Sequence, residues 1–243
     1  MIALLCSVQA EAERLLGSIM VTRSTKLGSK LLLEGTLGDQ RILLCVGGIG
    51  KVNAAHAATL MFTRFNPEAL VAFGIGGAYP SSGARVGDIA IAKEEIAGDE
   101  GVLTQEGFRD TEYIGIPLVT TATQVMYTTF PASEPLLHRS LQSLEAHRAS
   151  DQCTLHIGSF VTLSTCTGTL ARARELEERY QGLCENMEGA AVAQVAKLHA
   201  VPWIEVRGIS NIVEARDLKK WDIPRAANAV QQAVLRIVEG WKR

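Results

Sequence analysis

Residues 186–211 read NMEGAAVAQVAKLHAVPWIEVRGISN, and this stretch sets the fold class. Ala190 to Ala200 is a strongly apolar run of helical length, and Trp203 to Ile209 is a run of strand formers. A carboxylate, Glu188, stands at the entrance of the helix. A polar amide, Asn211, stands just past the strand. A carboxylate, a helix and a strand ending in a polar side chain can hold a sugar diol and a heterocyclic base side by side.

The rest of the chain repeats this alternation. Residues 2–8 predict a buried strand and 11–16 the start of a helix. The apolar runs 30–36 and 41–46, joined by Gly38-Asp39-Gln40, predict a hairpin. Residues 51–65 have helical period, with Val52, Ala55, Ala58 and Leu60 near one face and Phe62 beside them, and Pro67 closes that helix. Leu70 to Phe73 is a central strand ending in glycines. Asp88 to Ala92 and Leu118 to Ala122 are further strands. Helix is expected over 133–147, strand over His156 to Thr165, and a charged helix over Leu170 to Tyr180. The last helix has Asp222 as N-cap, Pro224 in its first turn, and a stripe of Ala226, Val230, Ala233, Val234, Ile237, Val238 and Trp241. Strands alternating with helices predict one α/β domain over residues 1–243 with a largely parallel sheet.

Composition narrows the function classes. The 243 residues are 47% hydrophobic and 21% charged, with a formal net charge of -2. Charges of both signs are mixed, so no basic run points to nucleic acid and no basic amphipathic helix to a membrane surface. Apolar stretches fall short of the about 20 residues that span a bilayer. The N-terminus has no basic segment, and Glu11 and Glu13 follow at once, so a cytoplasmic protein is expected. The cysteines, at 6, 45, 153, 166 and 184, form no CxxC pair. Buried reduced thiols are expected, with no metal; Cys153 and His156 alone are too few ligands.

Two glycine-rich segments are candidate ligand loops. Gly47-Gly48-Ile49-Gly50-Lys51 lacks the flanking residues of a Walker loop, having Cys45 and Val52 in their place. Gly74-Ile75-Gly76-Gly77 follows a strand, but its third glycine is misplaced for a dinucleotide fingerprint, and Tyr79-Pro80-Ser81-Ser82-Gly83 is a turn. No Gly-x-Ser-x-Gly elbow is present. Both loops either bring a ligand close to backbone N–H groups or simply turn the chain tightly.

Four pieces in order, GGIGKVNAA at 47–55, FGIGGAYPSSGARVGDIAIA at 73–92, NMEGAAVAQVA at 186–196 and VRGISN at 206–211, resemble the nucleoside phosphorylase and nucleosidase superfamily. GIGGAYP, STCTGT at 164–169 and RGISN are similar to the futalosine hydrolase branch, which serves menaquinone biosynthesis. Methylthioadenosine/S-adenosylhomocysteine nucleosidases are near relatives of that branch. The resemblance implies a three-layer α/β/α sandwich around a mixed, partly barrel-like sheet. It implies a small nucleoside substrate, no cofactor, and a homo-oligomer whose subunits pair beside the site. It assigns Met187 and Glu188 to the ribose, Gly76 to a backbone facing the ligand, and Thr165 and Cys166 to the base. Glu11, with Glu13 as the other candidate, matches the acid that positions the attacking water. Two positions depart from the methylthioadenosine enzymes: Asn186 replaces an acid beside Met187, and Asn211 replaces the Asp that serves the purine N7.

The chemistry of these residues agrees with that outline. A helix N-terminus favours an ionised Glu188, which can accept from two ribose hydroxyls and offset oxocarbenium charge. A general base such as Glu11 typically contributes about 10²–10⁴-fold. An amide such as Asn211 gives up no proton at neutral pH but donates N–H to O6 or N7 of a 6-oxopurine. Asp217 and Arg216, in the polar loop that follows, either cover the site or are surface charges. Ala72 stands where related phosphorylases hold phosphate with an arginine, which favours water as nucleophile. Three functions are therefore carried forward: futalosine hydrolysis, a methylthioadenosine-type nucleosidase, and a nucleoside-binding module without catalysis. Only the enzymes need Glu11.

Overall fold

A computed structural model describes residues 1–145 and 153–242. In chain order the elements are β1 (Ile2–Cys6), α1 (Glu13–Ser18), β2 (Met20–Leu27), β3 (Lys30–Leu37), β4 (Gln40–Val46), α2 (Lys51–Phe65), β5 (Ala69–Ala78), β6 (Ile89–Ala97), β7 (Gly101–Thr104), β8 (Gly107–Asp110), α3 (Thr111–Ile114), β9 (Val119–Thr120), β10 (Val125–Met126), β11 (Thr129–Pro131), α4 (Glu134–Glu145), β12 (Leu155–Thr162), α5 (Leu170–Tyr180), β13 (Gly182–Asn186), α6 (Gly189–Leu198), β14 (Trp203–Ile212) and α7 (Ile223–Glu239). The helix expected over 133–147 runs to Glu145, and its last two positions lie outside the described residues.

The main sheet runs β11-β6-β12-β13-β5-β1-β4-β3-β2, and β14 joins β5 to β6. Strands β5, β14, β6, β12 and β13 therefore close on themselves as a five-stranded ring, while β1, β4, β3 and β2 continue as an open wing. The sheet is mixed, which corrects the expectation of a largely parallel one. β14 pairs parallel with β5 but antiparallel with β6, and β13 runs antiparallel to β5. The wing strands β2, β3 and β4 form an antiparallel meander. Such a meander needs only short turns, and Gly38 takes the left-handed conformation (φ 55°) at the second of them.

Helices cover both faces, and strand alternation decides which core each residue joins. Ile2 and Leu4 of β1 pack with Val71 and Phe73 of β5, with Val230, Val234 and Ile237 of α7 and with Leu136 of α4. Ala3 and Leu5 point the other way, to Leu70 and Ala72, Ala57 and Met61 of α2 and Val192 and Ala196 of α6. This is a three-layer arrangement. The stripe predicted on the last helix is buried, from Val230 onward in the first core, and Asp222 accepts a hydrogen bond from the backbone N–H of Arg225 as its N-cap. The face predicted for α2 holds at Ala58 and Phe62 and is corrected at Val52, Ala55 and Leu60. Ala54, Ala57, Ala58, Met61 and Phe62 are buried, and Val52 is 85% exposed. Leu118 to Ala122 is likewise no core strand: only Val119–Thr120 pairs, in a two-stranded ribbon with β10. Among the described residues no helix is long and apolar enough to cross a membrane.

Candidate active site

One cavity of about 240 Å³ opens where the ends of β1, β5, β13 and β14 converge. Glu11, Gly76, Thr165, Cys166, Met187, Glu188 and Asn211 all line it. Residues from opposite ends of the chain meet there because β1 and β14 both pair with β5.

Glu11 ends a short 3-10 turn after β1 and is 4% exposed. Its Oε2 accepts from the backbone N–H of Ser7 at 2.9 Å and of Val8 at 3.1 Å, and its Oε1 from that of Ile75 at 2.9 Å. A carboxylate offers about four lone-pair directions, so three are occupied and one remains. Gly74 makes room for it: a β-carbon there would lie 2.6 Å from Glu11 Oε1 and 2.7 Å from Arg207 Nη1. Glu13, the other candidate, sits exposed on α1 and does not line the cavity.

Glu188 stands at the start of α6, yet it does not cap that helix. The helix amides are met from below. Asn186 Oδ1 accepts from Glu188 N at 2.9 Å and Gly189 N at 2.7 Å, and Thr162 Oγ1 accepts from Ala190 N at 2.7 Å. The Glu188 carboxylate is thereby free to turn into the cavity. Gly50 N donates to its Oε1 at 2.8 Å and Arg207 Nη2 to its Oε2 at 3.3 Å. The Gly47–Gly50 loop thus brings a backbone N–H to a carboxylate rather than to a phosphate.

Arg207 received no role from the sequence. It is 3% exposed and donates through Nε to Glu205 Oε1 at 2.7 Å and through Nη1 to the carbonyl of Ile75 at 3.0 Å. Burial acts to lower its pKa, but Glu205, Glu188 and Glu11 outweigh burial and hold the guanidinium above its ordinary value. The available signal was Trp203-Ile204-Glu205-Val206-Arg207: two opposite charges two residues apart share one face of a strand that is otherwise apolar.

The opposite wall carries Asn211. The β14–β5 register slips between Ile209, opposite Gly76, and Asn211, opposite Gly77, so Ser210 is an extra residue. A bulge of this kind re-aims the next side chain. The Ser210 hydroxyl lies 2.8 Å from Asn211 Oδ1 and 3.2 Å from the Gly76 carbonyl, and Asn211 Nδ2 donates to the Ile212 carbonyl at 3.2 Å. One amide hydrogen and one oxygen lone pair of Asn211 remain for a ligand. Gly76 cannot carry a side chain, because a β-carbon would collide with Cys184 Sγ. Thr165 and Cys166 sit exposed at the mouth, with Cys166 Sγ 3.6 Å from Met187 Sδ. Glu185 accepts from the backbone N–H of Thr167 at 3.0 Å, and burial pushes its pKa up against that bond. From the polar loop it is Trp221 that lines the cavity. Arg216 stacks on its ring at 5.1 Å, and Asp217 caps a short turn by accepting from Lys219 N.

His156 does not pair with Cys153; its Nε2 lies 3.0 Å from Asp88 Oδ2. Among the described residues no group of three or more His, Cys, Asp or Glu side chains is arranged to hold a metal. Cys6, Cys45 and Cys184 are buried, but Cys153 is half-buried and Cys166 exposed, so the expectation of buried thiols holds only in part.

In sequence and fold the chain is similar to known nucleoside enzymes. The family described as Phosphorylase superfamily matches residues 1–239. The chain is 34% identical to a futalosine hydrolase of Streptomyces coelicolor over 82% of this chain and 80% of that one. It is 26% identical to a 5'-methylthioadenosine/S-adenosylhomocysteine nucleosidase of Mycobacterium tuberculosis, over 88% and 86%. The crystal structure of a nucleosidase of the latter kind from Neisseria meningitidis, in complex with methylthio-immucillin-A, superposes with a TM-score of 0.84 over 98% of each chain at 22% identity. That last likeness establishes the fold.

Proposed function

The chain belongs to the phosphorylase superfamily and is an N-glycosyl hydrolase, and on that premise we propose that its substrate is futalosine, cleaved to hypoxanthine and dehypoxanthine futalosine on the route to menaquinone. The observation that carries the substrate is Asn211. In this reading its amide N–H donates to O6 or N7 of the base and stabilises hypoxanthine as it leaves with the electrons of the C1′–N9 bond. A 6-oxopurine spreads that charge over its ring better than adenine, so it needs no acid at this position.

On the sugar side, Glu188 accepts from the ribose hydroxyls. Its bonds to Gly50 N and Arg207 hold it in one orientation before substrate arrives. Met187 packs beneath the ribose, and Gly76, Thr165 and Cys166 frame the base. Glu11 uses its remaining lone pair to hold water below C1′ and takes its proton as the C1′–O bond forms. The whole of residues 1–243 acts as one domain in this scheme, since the site draws on β1 and β14 alike.

The test compares kcat/KM for futalosine, its 6-amino analogue and methylthioadenosine, following release of the free base. Futalosine is expected to be preferred by at least about tenfold over the 6-amino compound, the scale of one well-placed hydrogen bond. Asn211→Asp should move the preference toward the amino compound. Equal rates, or preference for the 6-amino nucleosides, would sink the futalosine reading and favour a methylthioadenosine-type nucleosidase.

A further inference from the structure

Beneath the cavity lies a carboxyl pair that the scheme above does not use. We propose that Glu95 is a positioning residue of the hydrolytic site: it holds a proton toward Glu205 and braces Glu188 along two routes, one through Asn186 and one through Arg207. The inference rests on the reading of Glu188 as the ribose carboxylate.

Glu95 and Glu205 are both 0% exposed. They converge on the α-carbon of Gly189, where a β-carbon would collide with Glu95 Oε1 and with Glu205 Oε2. Glu205 Oε1 accepts from Arg207 Nε, but its Oε2 is buried with no donor among the described residues. An unmet carboxylate oxygen in the interior is costly. A protonated Glu95, whose Oε1 shares the space over Gly189 with Glu205 Oε2, can supply the missing hydrogen. The charge count agrees, because Glu11, Glu95, Glu188 and Glu205 surround a single guanidinium. The proton sits on Glu95, which has no cation of its own, and not on Glu205, which faces Arg207.

From Glu95 two chains of contacts lead to Glu188. Asn186 Nδ2 donates to Glu95 Oε1 at 2.7 Å, which fixes the amide so that its Oδ1 meets the N–H groups of Glu188 and Gly189. On the other side Glu95 orients Glu205, Glu205 orients Arg207, and Arg207 reaches Glu188 Oε2. The Thr162 hydroxyl lies 2.7 Å from Glu95 Oε2 and completes its shell.

The groups around Glu95 set the direction of its titration. β14 contributes Glu205 and Arg207, and β13 contributes the Cys184 thiol beside the neutral Asn186. The start of α6 contributes the uncharged Gly189. β12 contributes the neutral Thr162, and β11 places Phe130 opposite Glu95. Burial and the Glu205 carboxylate raise the Glu95 pKa, and together they outweigh Thr162 and Arg207, leaving it well above the ordinary 4.5. The folded chain therefore binds a proton that the unfolded chain releases above about pH 4.5, and stability falls as pH rises from there toward the folded value.

The experiment uses Glu95→Gln, Glu95→Ala and Glu205→Gln. Glutamine is neutral and keeps one of the two contacts of Glu95 Oε1: its oxygen accepts from Asn186, or its N–H donates toward Glu205. Glu95→Ala removes both contacts and should lose about tenfold or more in kcat/KM, with KM rising and kcat falling together, and Glu95→Gln, which keeps one, should lose less than Glu95→Ala. Glu205→Gln should lose more than Glu95→Gln, because it removes the charge that faces Arg207. If Glu95→Ala does not fold, thermal unfolding of wild type and Glu95→Gln between about pH 5 and 9 decides alone. Tm of Glu95→Gln should fall less steeply with rising pH. Overturning results are activity loss in Glu95→Gln equal to or greater than that in Glu205→Gln, or an equal or steeper fall of Tm. The thermal arm needs no substrate. A wild type that prefers another nucleoside would end the futalosine reading while the same variants, assayed on that nucleoside, still judge Glu95.

Discussion

At the scale of single residues, the site works by keeping three carboxylates in fixed and different surroundings. Glu11 is held by three backbone N–H groups, Glu188 by one N–H and a guanidinium, and Glu205 by the guanidinium alone among cations. The first two arrangements predict different kinetic phenotypes. On the proposed scheme Glu188 meets the sugar in ground and transition states, so Glu188→Gln should raise KM and lower kcat together. On the same scheme Glu11 acts on water, so Glu11→Gln should lower kcat by at least about 10²-fold with little change in substrate affinity. Steady-state kinetics, with substrate binding measured separately on the Glu11 variant, checks both. Near-normal kcat in Glu11→Gln would mean that the water is activated elsewhere. Glu13→Gln is the control, since Glu13 is exposed and should be near neutral. That Glu188 and Asn211 line one cavity was legible because each lies in a short motif with a distinctive neighbour. The choice between Glu11 and Glu13 was not, because it depends on a 3-10 turn that no periodicity signals.

At the scale of elements, the site depends on two irregularities. The extra residue Ser210 in β14 turns Asn211 toward the cavity, and the first turn of α6 is capped from below by Asn186 and Thr162 instead of by its own first residue. Neither shows in a pattern of apolar residues. For the same reason β2 was missed, since nearly all of it is exposed, and β13 was missed because its Glu185 and Asn186 serve the site and break the apolar run. α7 was legible to the residue at its cap because Asp222, Pro224 and a long apolar stripe agree. The α6 turn makes a prediction about Gly189. A methyl group there would strike the Glu95 and Glu205 carboxyls, both buried and fixed, so Gly189→Ala should destabilise the fold by about 1–3 kcal/mol despite the better helix propensity of alanine. Gly17→Ala on exposed α1 has nothing within 4 Å and should stabilise by up to about 1 kcal/mol. Urea unfolding of the pair reads the difference. Equal midpoints would mean that the Gly189 turn has room that its neighbours do not suggest.

At the scale of the whole molecule, the closed ring of strands explains why the site is anionic and what nucleophile it accepts. β5 lies between β1 and β14, so Glu11 from one end of the chain and Glu205 and Arg207 from the other are brought to the same floor. The mixed directions that close this ring were beyond a residue-by-residue reading, because alternation of strands and helices says nothing of which strand returns antiparallel. Ala72 was legible and stays apolar and buried on β5, beside a small void shared with Glu188 and Arg207. The cations near the glycine loop are engaged. Lys30 Nζ donates to the Gly47 carbonyl and to Asn53 Oδ1, and Lys51 pairs with Asp99 and Glu100. Arg207, the cation that lines the cavity, is bound to two carboxylates. A phosphate dianion placed beneath the sugar would meet Glu11 and Glu188 with no unpaired cation among the described lining residues to balance it, and at an effective dielectric of 20 each unit pair at 4 Å costs about 4 kcal/mol. Water carries no such penalty. Turnover should therefore proceed at full rate in phosphate-free buffer, and the sugar product should be a free hemiacetal. Added phosphate should change kcat/KM by less than about twofold, the effect of ionic strength on a neutral nucleophile. Product analysis by mass spectrometry is decisive, since a sugar-1-phosphate formed only when phosphate is present would show that a dianion does reach C1′ and that Arg207 leaves its carboxylates to receive it.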